Sequence, residues 1–374
     1  MPILANDALP QEGDEPEGLD SSQAEGWGRD YPLDSVFVRT EQRTVKEVNE
    51  RINKGRYQLD PDFQRDFIWL VDKQSRLIES CIMRIPLPVF YVAEADDGRI
   101  AVVDGLQRLT TFNRYLNDDF SLLFKSGDGQ PKHPLNGKKY SDLSLQLKER
   151  IEDTQLILYI LDVKAPETVK LDIFDRVNSG VPLTRQQMRN CLFNGTATKW
   201  LKQASNSPEF LAATGASLDK KSMRDREVIN RFCAFSLLGE QNYKGDMDDF
   251  LARALRDMNK EQTNLDELRK KFIRSMKANH HLFANHAFRK SLAQLHNDAA
   301  RSVVNIALFD VCSVLFSEIS PKDIKCHADV LRSGFKALIE NEKFNHAITY
   351  STNSTRQVQT RFEMARKLVK EIAA

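Results

Sequence analysis

Every strand-like run in this 374-residue chain falls before residue 165, and almost everything after Asn190 reads as helix. "IPLPVFYVAEA" and "IAVVDG" flank the tight turn "DDGR", and "TQLILYILDV" is the strongest strand pattern in the chain. From residue 196 onward the apolar positions recur at helical spacing, in "REVINRFCAFSLL", "DDFLARALRDM", "LDELRKKFIRSMKA", "ARSVVNIALFDVCSVLF", "HADVLRSGFKALIE" and "TRFEMARKLVKEI". A chain ordered this way is expected to be α+β, with a mixed head over residues 31–195 and an all-helical domain over 196–374. No internal repeat of fixed period is present.

Within the head, "TVKEVNERINKG" places Val45, Val48 and Ile52 on one helical face and stops at Gly55. "DKQSRLIESCIMR" turns Leu77, Ile78, Cys81 and Ile82 inward, and a third helix runs from Leu106 to about Asn117. "SLLF" (121–124) reads as a short strand inside a polar stretch. "APETVKLDIFDRVNSG" is a helix with Gly180 as its stop, and Thr184 is the expected N-cap of the next one.

Charge sets the first 28 residues apart. They hold seven carboxylates and no Lys or Arg, so the segment carries −7 and, with +1 for the whole chain, the remainder carries +8. Residues 1–30 also lack apolar periodicity, and a disordered acidic tail is expected there. A moderately basic body is compatible with a polyanionic ligand. Five well-separated cysteines with no C-x-x-C pair point to reduced thiols in a cytoplasmic protein, most of them acting as small core hydrophobes. No apolar run is long enough to span a bilayer. H-E-x-x-H, G-x-S-x-G and the Walker lysine motif are all missing, and the histidines at 280, 281, 286 and 296 lack zinc spacing.

Three short stretches carry candidate chemistry. In "VVDGLQRLTTF" (102–112) a buried strand becomes a helix at Asp104-Gly105. A helix start favours anions, and Gly105 allows close backbone approach. Arg108 can fork onto phosphate oxygens, Gln107 can orient water, and Asp104 can hold a metal ion or activate water. Spacing alone serves equally for a turn glycine with an Asp cap and a surface arginine. In "PDFQRDFIW", Gln64 and Arg65 sit among Phe63, Phe67 and Trp69, as a ligand clamp or as a structural cation–π pair. In "FDRVNSGVPLT", Asn178-Ser179-Gly180 is either a plain helix stop or part of a site.

Together, and in this order, "LDPDFQRDFIW", "LIESCIMRIPLPVFYV", "VVDGLQRLTTF" and "FDRVNSGVPLT" resemble the DUF262 family, the domain found in the S part of GmrSD-type modification-dependent restriction systems. The resemblance covers roughly residues 31–195. "RDREVINRFCAFSLL" is similar to the helical segment that follows the head in stand-alone members. The family is similar to the ParB/sulfiredoxin fold, whose Gly-x-x-Arg turn binds nucleotide phosphates, and Gly105 and Arg108 match that turn. The usual D-G-Q-Q-R is D-G-L-Q-R here, with Leu106 in place of the first Gln. The His-centred motif of the HNH nuclease domain found in GmrSD fusions is not recognisable in residues 196–374.

The resemblance implies a nucleoside-triphosphate-binding and hydrolysing switch or effector of a DNA-restriction or anti-phage system. The residues expected to bind nucleotide are Gln64, Arg65, Gly105, Arg108, Thr110, Thr111 and Asn178. Asp104, Gln107 and Arg108 are expected to act on it, with Asp104 on Mg²⁺. A DNA-binding module without turnover and a helical scaffold for a partner nuclease are the competing expectations.

Overall fold

The computed structural model describes residues 16–17, 38–59, 69–95, 97–124, 133–165, 167–177, 184–294 and 300–373. The chain divides into two compact units, Gly26–Leu192, and Phe193–Ala374 together with Met1–Glu25.

The first unit is α+β. Its strands are β1 (Val38–Thr44), β2 (Tyr57–Gln58), β3 (Phe90–Glu94), β4 (Ile100–Asp104) and β5 (Gln155–Leu161). They form one mixed sheet in the order β1-β5-β3-β4-β2. β3 runs antiparallel to β4 and parallel to β5, while β1 closes the far edge antiparallel to β5. Its helices are α1 (Val45–Asn53), α2 (Val71–Ile82), α3 (Leu106–Leu116), α4 (Leu145–Glu152), α5 (Glu167–Val177) and α6 (Arg185–Leu192). Val48, Ile78, Leu109, Phe112 and Ile151 from the first four helices meet Val92, Val102 and Leu158 in one core. Ala101, Val102 and Val103 are all buried, which explains why β4 reads as a continuous apolar run rather than an alternating one. The expected Thr184 cap is present: its Oγ1 accepts from the Gln187 amide at 3.2 Å, and Gln187 Oε1 accepts from the Thr184 amide at 2.8 Å.

Two expectations need correction. "SLLF" is not a strand; Leu122 exchanges backbone bonds with Gly137 and Lys138, and Leu123 donates to Ser75 Oγ, so the segment is tied to a turn and a helix rather than to the sheet. The helix within "ARSVVNIALFDVCSVLF" begins only at Ile306. Arg301–Val303 lie outside any helix, Val304 bridges Arg289, and Asn305 caps the helix by accepting from the Leu308 amide. The acidic tail lies mostly outside the described residues, but Glu17 is placed. Its amide donates to Val304 O at 2.8 Å, its carbonyl accepts from Ile306 at 2.9 Å, and its carboxylate pairs with Lys290.

Among its described residues the second unit is built of helices, with two isolated β-bridges, Glu17 to Asn305 and Arg289 to Val304. Its first five helices are α7 (Thr196–Ser205), α8 (Pro208–Thr214), α9 (Arg224–Leu238), α10 (Met247–Met258) and α11 (Leu265–Phe283). The rest are α12 (Ile306–Glu318), α13 (Pro321–Cys326), α14 (Ala328–Glu340), α15 (Glu342–Thr349) and α16 (Thr355–Ala373). α12 is buried from Ile306 to Ser317 because α9, α11, α15 and α16 surround it. In the middle of that apolar helix stands Asp310, fully buried. Arg231 donates to it from Nε at 2.8 Å and from Nη2 at 2.6 Å, and Arg361 donates from Nη2 at 2.8 Å. Burial pushes the Arg361 guanidinium down to about 10, against the pull of Asp310. Four of the five cysteines are buried, only Cys326 is exposed, and all are free thiols. No described helix is long and apolar enough to cross a membrane.

Candidate functional site

The strand-to-helix turn is built around an aromatic ring. Gly105 sits at φ +96° as the cap of α3, in the left-handed region. A Cβ there would overlap Cδ1 of Phe90, lie 2.9 Å from Cε1 and come within 3.2 Å of Arg108 Nη2. The glycine is therefore demanded by the Phe90 and Arg108 side chains as well as by the backbone. Leu106, the family's departure, is a core residue at 6% exposure. Its aliphatic side chain fits a position that would have to bury a polar amide if Gln stood there.

Arg108 is committed inside the protein. Its guanidinium lies over the Phe90 ring at 4.1 Å, donates from Nη1 to Pro88 O, and donates from Nη2 to Val89 O at 3.0 Å and to Asp104 Oδ2 at 2.9 Å. Burial lowers its pKa below the ordinary arginine value, and Asp104 works against that shift. The expected free fork is thus a staple joining the start of β3 to the end of β4, with one side on a cleft. The Asp104 carboxylate is 39% exposed, so one face of it stays open to water. Thr111 is fully buried and bonds back to Gln107 O at 2.7 Å, which takes its hydroxyl out of reach of any ligand. Thr110 is half-buried on the same helix.

Gln107 has a structural partner. Its Oε1 accepts from the Trp69 amide at 3.3 Å, Trp69 O accepts from the buried Gln74 at 2.8 Å, and Gln74 Oε1 accepts from Arg114 at 3.1 Å. This relay brings the end of the "PDFQRDFIW" stretch onto the glycine turn. Gln64, Arg65 and Asn178 lie outside the described residues.

Beside the turn opens a cleft of about 840 Å³, whose walls include Trp69, Asp72, Lys73, Arg76, Pro88 and Arg108. α2 supplies its cations. Leu77, Ile78 and Cys81 face the core, which leaves Lys73 and Arg76, three residues apart, on the outer face. The Lys73 ammonium rests 4.4 Å above the Trp69 ring. Neither Lys73 nor Arg76 has a carboxylate within ion-pair distance among the described residues. The spacing in "VDKQSR" makes these two cations readable from the sequence once α2 is assigned its buried face. Among the described residues no cluster of three His, Cys, Asp or Glu side chains is placed to hold a metal ion, around Asp104 or elsewhere.

Residues 45–194 match the family model described as GmrSD restriction endonuclease, N-terminal domain. Over this stretch the chain is similar to a GmrSD-type DUF262 domain. The matched stretch takes in α1 through α6 and strands β2 to β5, and so contains the whole of the cleft just described. A comparison with curated proteins found no match.

Proposed function

We propose that the DUF262 domain binds a nucleoside triphosphate by its phosphates in this cleft, as the nucleotide switch or effector of a restriction-type defence system. The family match supports the restriction role. The observation that carries the phosphate reading is the pair Lys73 and Arg76, two cations without a carboxylate partner among the described residues, on the wall of a cleft large enough for a nucleotide. Trp69 adds an aromatic face on the same wall. The strand–Gly–helix turn beside a small mixed sheet supports reading the unit as ParB-like.

The roles within the site differ from those spacing suggests. Lys73 and Arg76 hold phosphate as exposed charges. Arg108 positions, fixing Asp104 and the Pro88–Phe90 segment relative to each other. Asp104 offers one open carboxylate face, which suits Mg²⁺ because that ion takes one or two carboxylates and completes its shell with phosphates and water. The bound ion would neutralise charge on the transferring phosphoryl group, and Asp104 and Gln107 would orient water at the start of α3.

Calorimetry with ATP and GTP, each with Mg²⁺, tests this. Lys73→Ala and Arg76→Ala should each weaken binding by roughly tenfold to a hundredfold, the loss of one charge-assisted contact, with circular dichroism unchanged. Affinity that survives both changes removes the cleft from consideration. Asp104→Asn should retain binding and lose phosphate release.

A further inference from the structure

A second cationic surface lies in the helical unit, independent of the phosphate cleft. One face of α11 and the start of α13 enclose a groove of about 860 Å³. Its rim carries Arg269, Lys270, Arg274, Lys277 and Lys325 against one carboxylate, Asp266. Among the described residues two of the five cations have carboxylate partners and three do not. Arg269 and Arg274 bond the neutral oxygens Gln203 Oε1 and Ser317 O, Lys270 stands 4.0 Å from Glu267, Lys277 stands 3.5 Å from Glu209, and Lys325 has no carboxylate partner among the described residues. The floor is aliphatic, formed by Ile273, Ala278 and Ile324. An occupant must therefore be anionic and aliphatic at once. A nucleic-acid backbone offers phosphates but no aliphatic side chains, whereas an acidic polypeptide segment offers both.

This chain contains such a segment. Residues 1–15, "MPILANDALPQEGDE", hold Asp7, Glu12, Asp14 and Glu15 with Ile3, Leu4 and Leu9, and no Lys or Arg. The segment ends two residues before Glu17, which is fixed on the helical unit through both backbone groups and through Lys290. That anchor is close to the groove. Arg332 of α14 donates to His281 O, and His281 lines the groove. Ile339 of the same helix shares a cavity wall with Lys290. Arg332 and Ile339 are seven residues apart, about 10 Å along a helix. The groove itself, from Asp266 to His281, runs about 22 Å, and fifteen extended residues reach about 50 Å.

We propose that the groove between α11 and α13 is the docking site of the chain's own acidic N-terminal segment, which screens these cations from other polyanions. Four carboxylates meet a rim that stays cationic at +2 once Asp266, Glu267 and Glu209 are set against its five cations, and Ile3, Leu4 or Leu9 covers the aliphatic floor.

Cys326, at the end of α13 beside Lys325, supplies the probe, because the other four cysteines are buried. Full-length protein carrying Ala5→Cys is treated with a short bismaleimide, and the products are read by mass spectrometry. The expected product is an intramolecular link between position 5 and Cys326, with a yield independent of protein concentration. Its yield should fall by about tenfold in 1 M salt, which screens exposed charges within a few ångströms, and similarly in the Arg269→Glu/Lys277→Glu background. The salt titration keeps the test valid if that double variant fails to fold. A link insensitive to both changes overturns the proposal. So does one that grows with protein concentration, which would make the occupant a second copy. A 20-base-pair DNA duplex is the remaining arm: if it binds wild type as tightly as it binds the chain carrying Asp7→Asn, Glu12→Gln, Asp14→Asn and Glu15→Gln, the segment does not cover the groove.

Discussion

Arg108 in the α+β unit and Arg231 in the helical unit are both withdrawn from solvent and both bonded to an aspartate, yet their surroundings differ. Arg231 shares a fully buried Asp310 with Arg361, and no face of that carboxylate reaches water. Arg108 rests on Phe90, takes two backbone carbonyls as partners, and shares an aspartate that is 39% exposed at the edge of a cleft. A sealed ion cluster ties α9, α12 and α16 together and has no access to a ligand. An arginine on a cleft wall, with an open carboxylate beside it, does architectural work on one side and borders the cleft on the other. Burial of an arginine alone does not separate these cases; the accessibility of its carboxylate partner does.

The largest effect is expected where the cluster is sealed. Asp310→Asn leaves two guanidinium groups buried without their counter-charge and should destabilise the helical unit by about 3–5 kcal/mol. Denaturant unfolding gives the magnitude, and amide hydrogen exchange shows which unit has loosened. A loss below about 1 kcal/mol, the worth of an exposed pair, would erase the contrast with Arg108. Next comes Gly105→Ala, which adds a clash with Phe90 to an unfavourable left-handed backbone, on the order of 3 kcal/mol together. The double variant Phe90→Leu/Gly105→Ala should recover the clash component and leave the backbone cost. No recovery would mean that Phe90 does not set the need for glycine. Arg108→Lys loses the fork onto Pro88 O and Val89 O, and the α+β unit should lose about 2 kcal/mol, within the range for bonds to a charged group. That loss should appear in the absence of any nucleotide, which distinguishes a positioning residue from a phosphate ligand.

Strands β3, β4 and β5 were legible because apolar residues filled them, and α3 because helical spacing begins at Leu106. β1 was not. "VRTEQRT" has no apolar alternation, since it is an edge strand whose charges pair among themselves, Arg39 and Arg43 both with Glu41. Only pairing with the apolar β5 makes it a strand. "SLLF" failed in the opposite sense: it looked like a strand, but its backbone bonds go to a turn and to Ser75. At the site, spacing found the glycine turn but not the partners of Arg108. Phe90 and the carbonyls of Pro88 and Val89 precede it by 18 to 20 residues, and their proximity follows from the β3–β4 hairpin, which no local pattern reports.

The smallest effect concerns Glu152, where Lys46 and Tyr140 donate to the carboxylate and hold its pKa below the ordinary value. A carboxylate with a lowered folded-state pKa contributes stability above its unfolded value, and that contribution is lost as pH falls through the folded one. Melting temperatures of wild type and Glu152→Gln should therefore differ slightly at pH 7 and converge below pH 4. A gap that persists in acid would assign the effect to packing of the amide.

The order of strands in the sheet bears on how the α+β unit is made. β5 is the last strand in sequence but lies between β1 and β3, and its register pairs Val38 with Leu161 and Thr44 with Gln155. More than a hundred residues separate each of these pairs, so the sheet belongs to the slow, non-local class of folding problem. During synthesis the hairpin of β3 and β4 is complete long before residue 155 is added. Until then β1 has no neighbour and β3 carries an open edge, each a row of unpaired amides and carbonyls that another nascent chain can use. The window of greatest exposure to aggregation closes only when β5 slides between them.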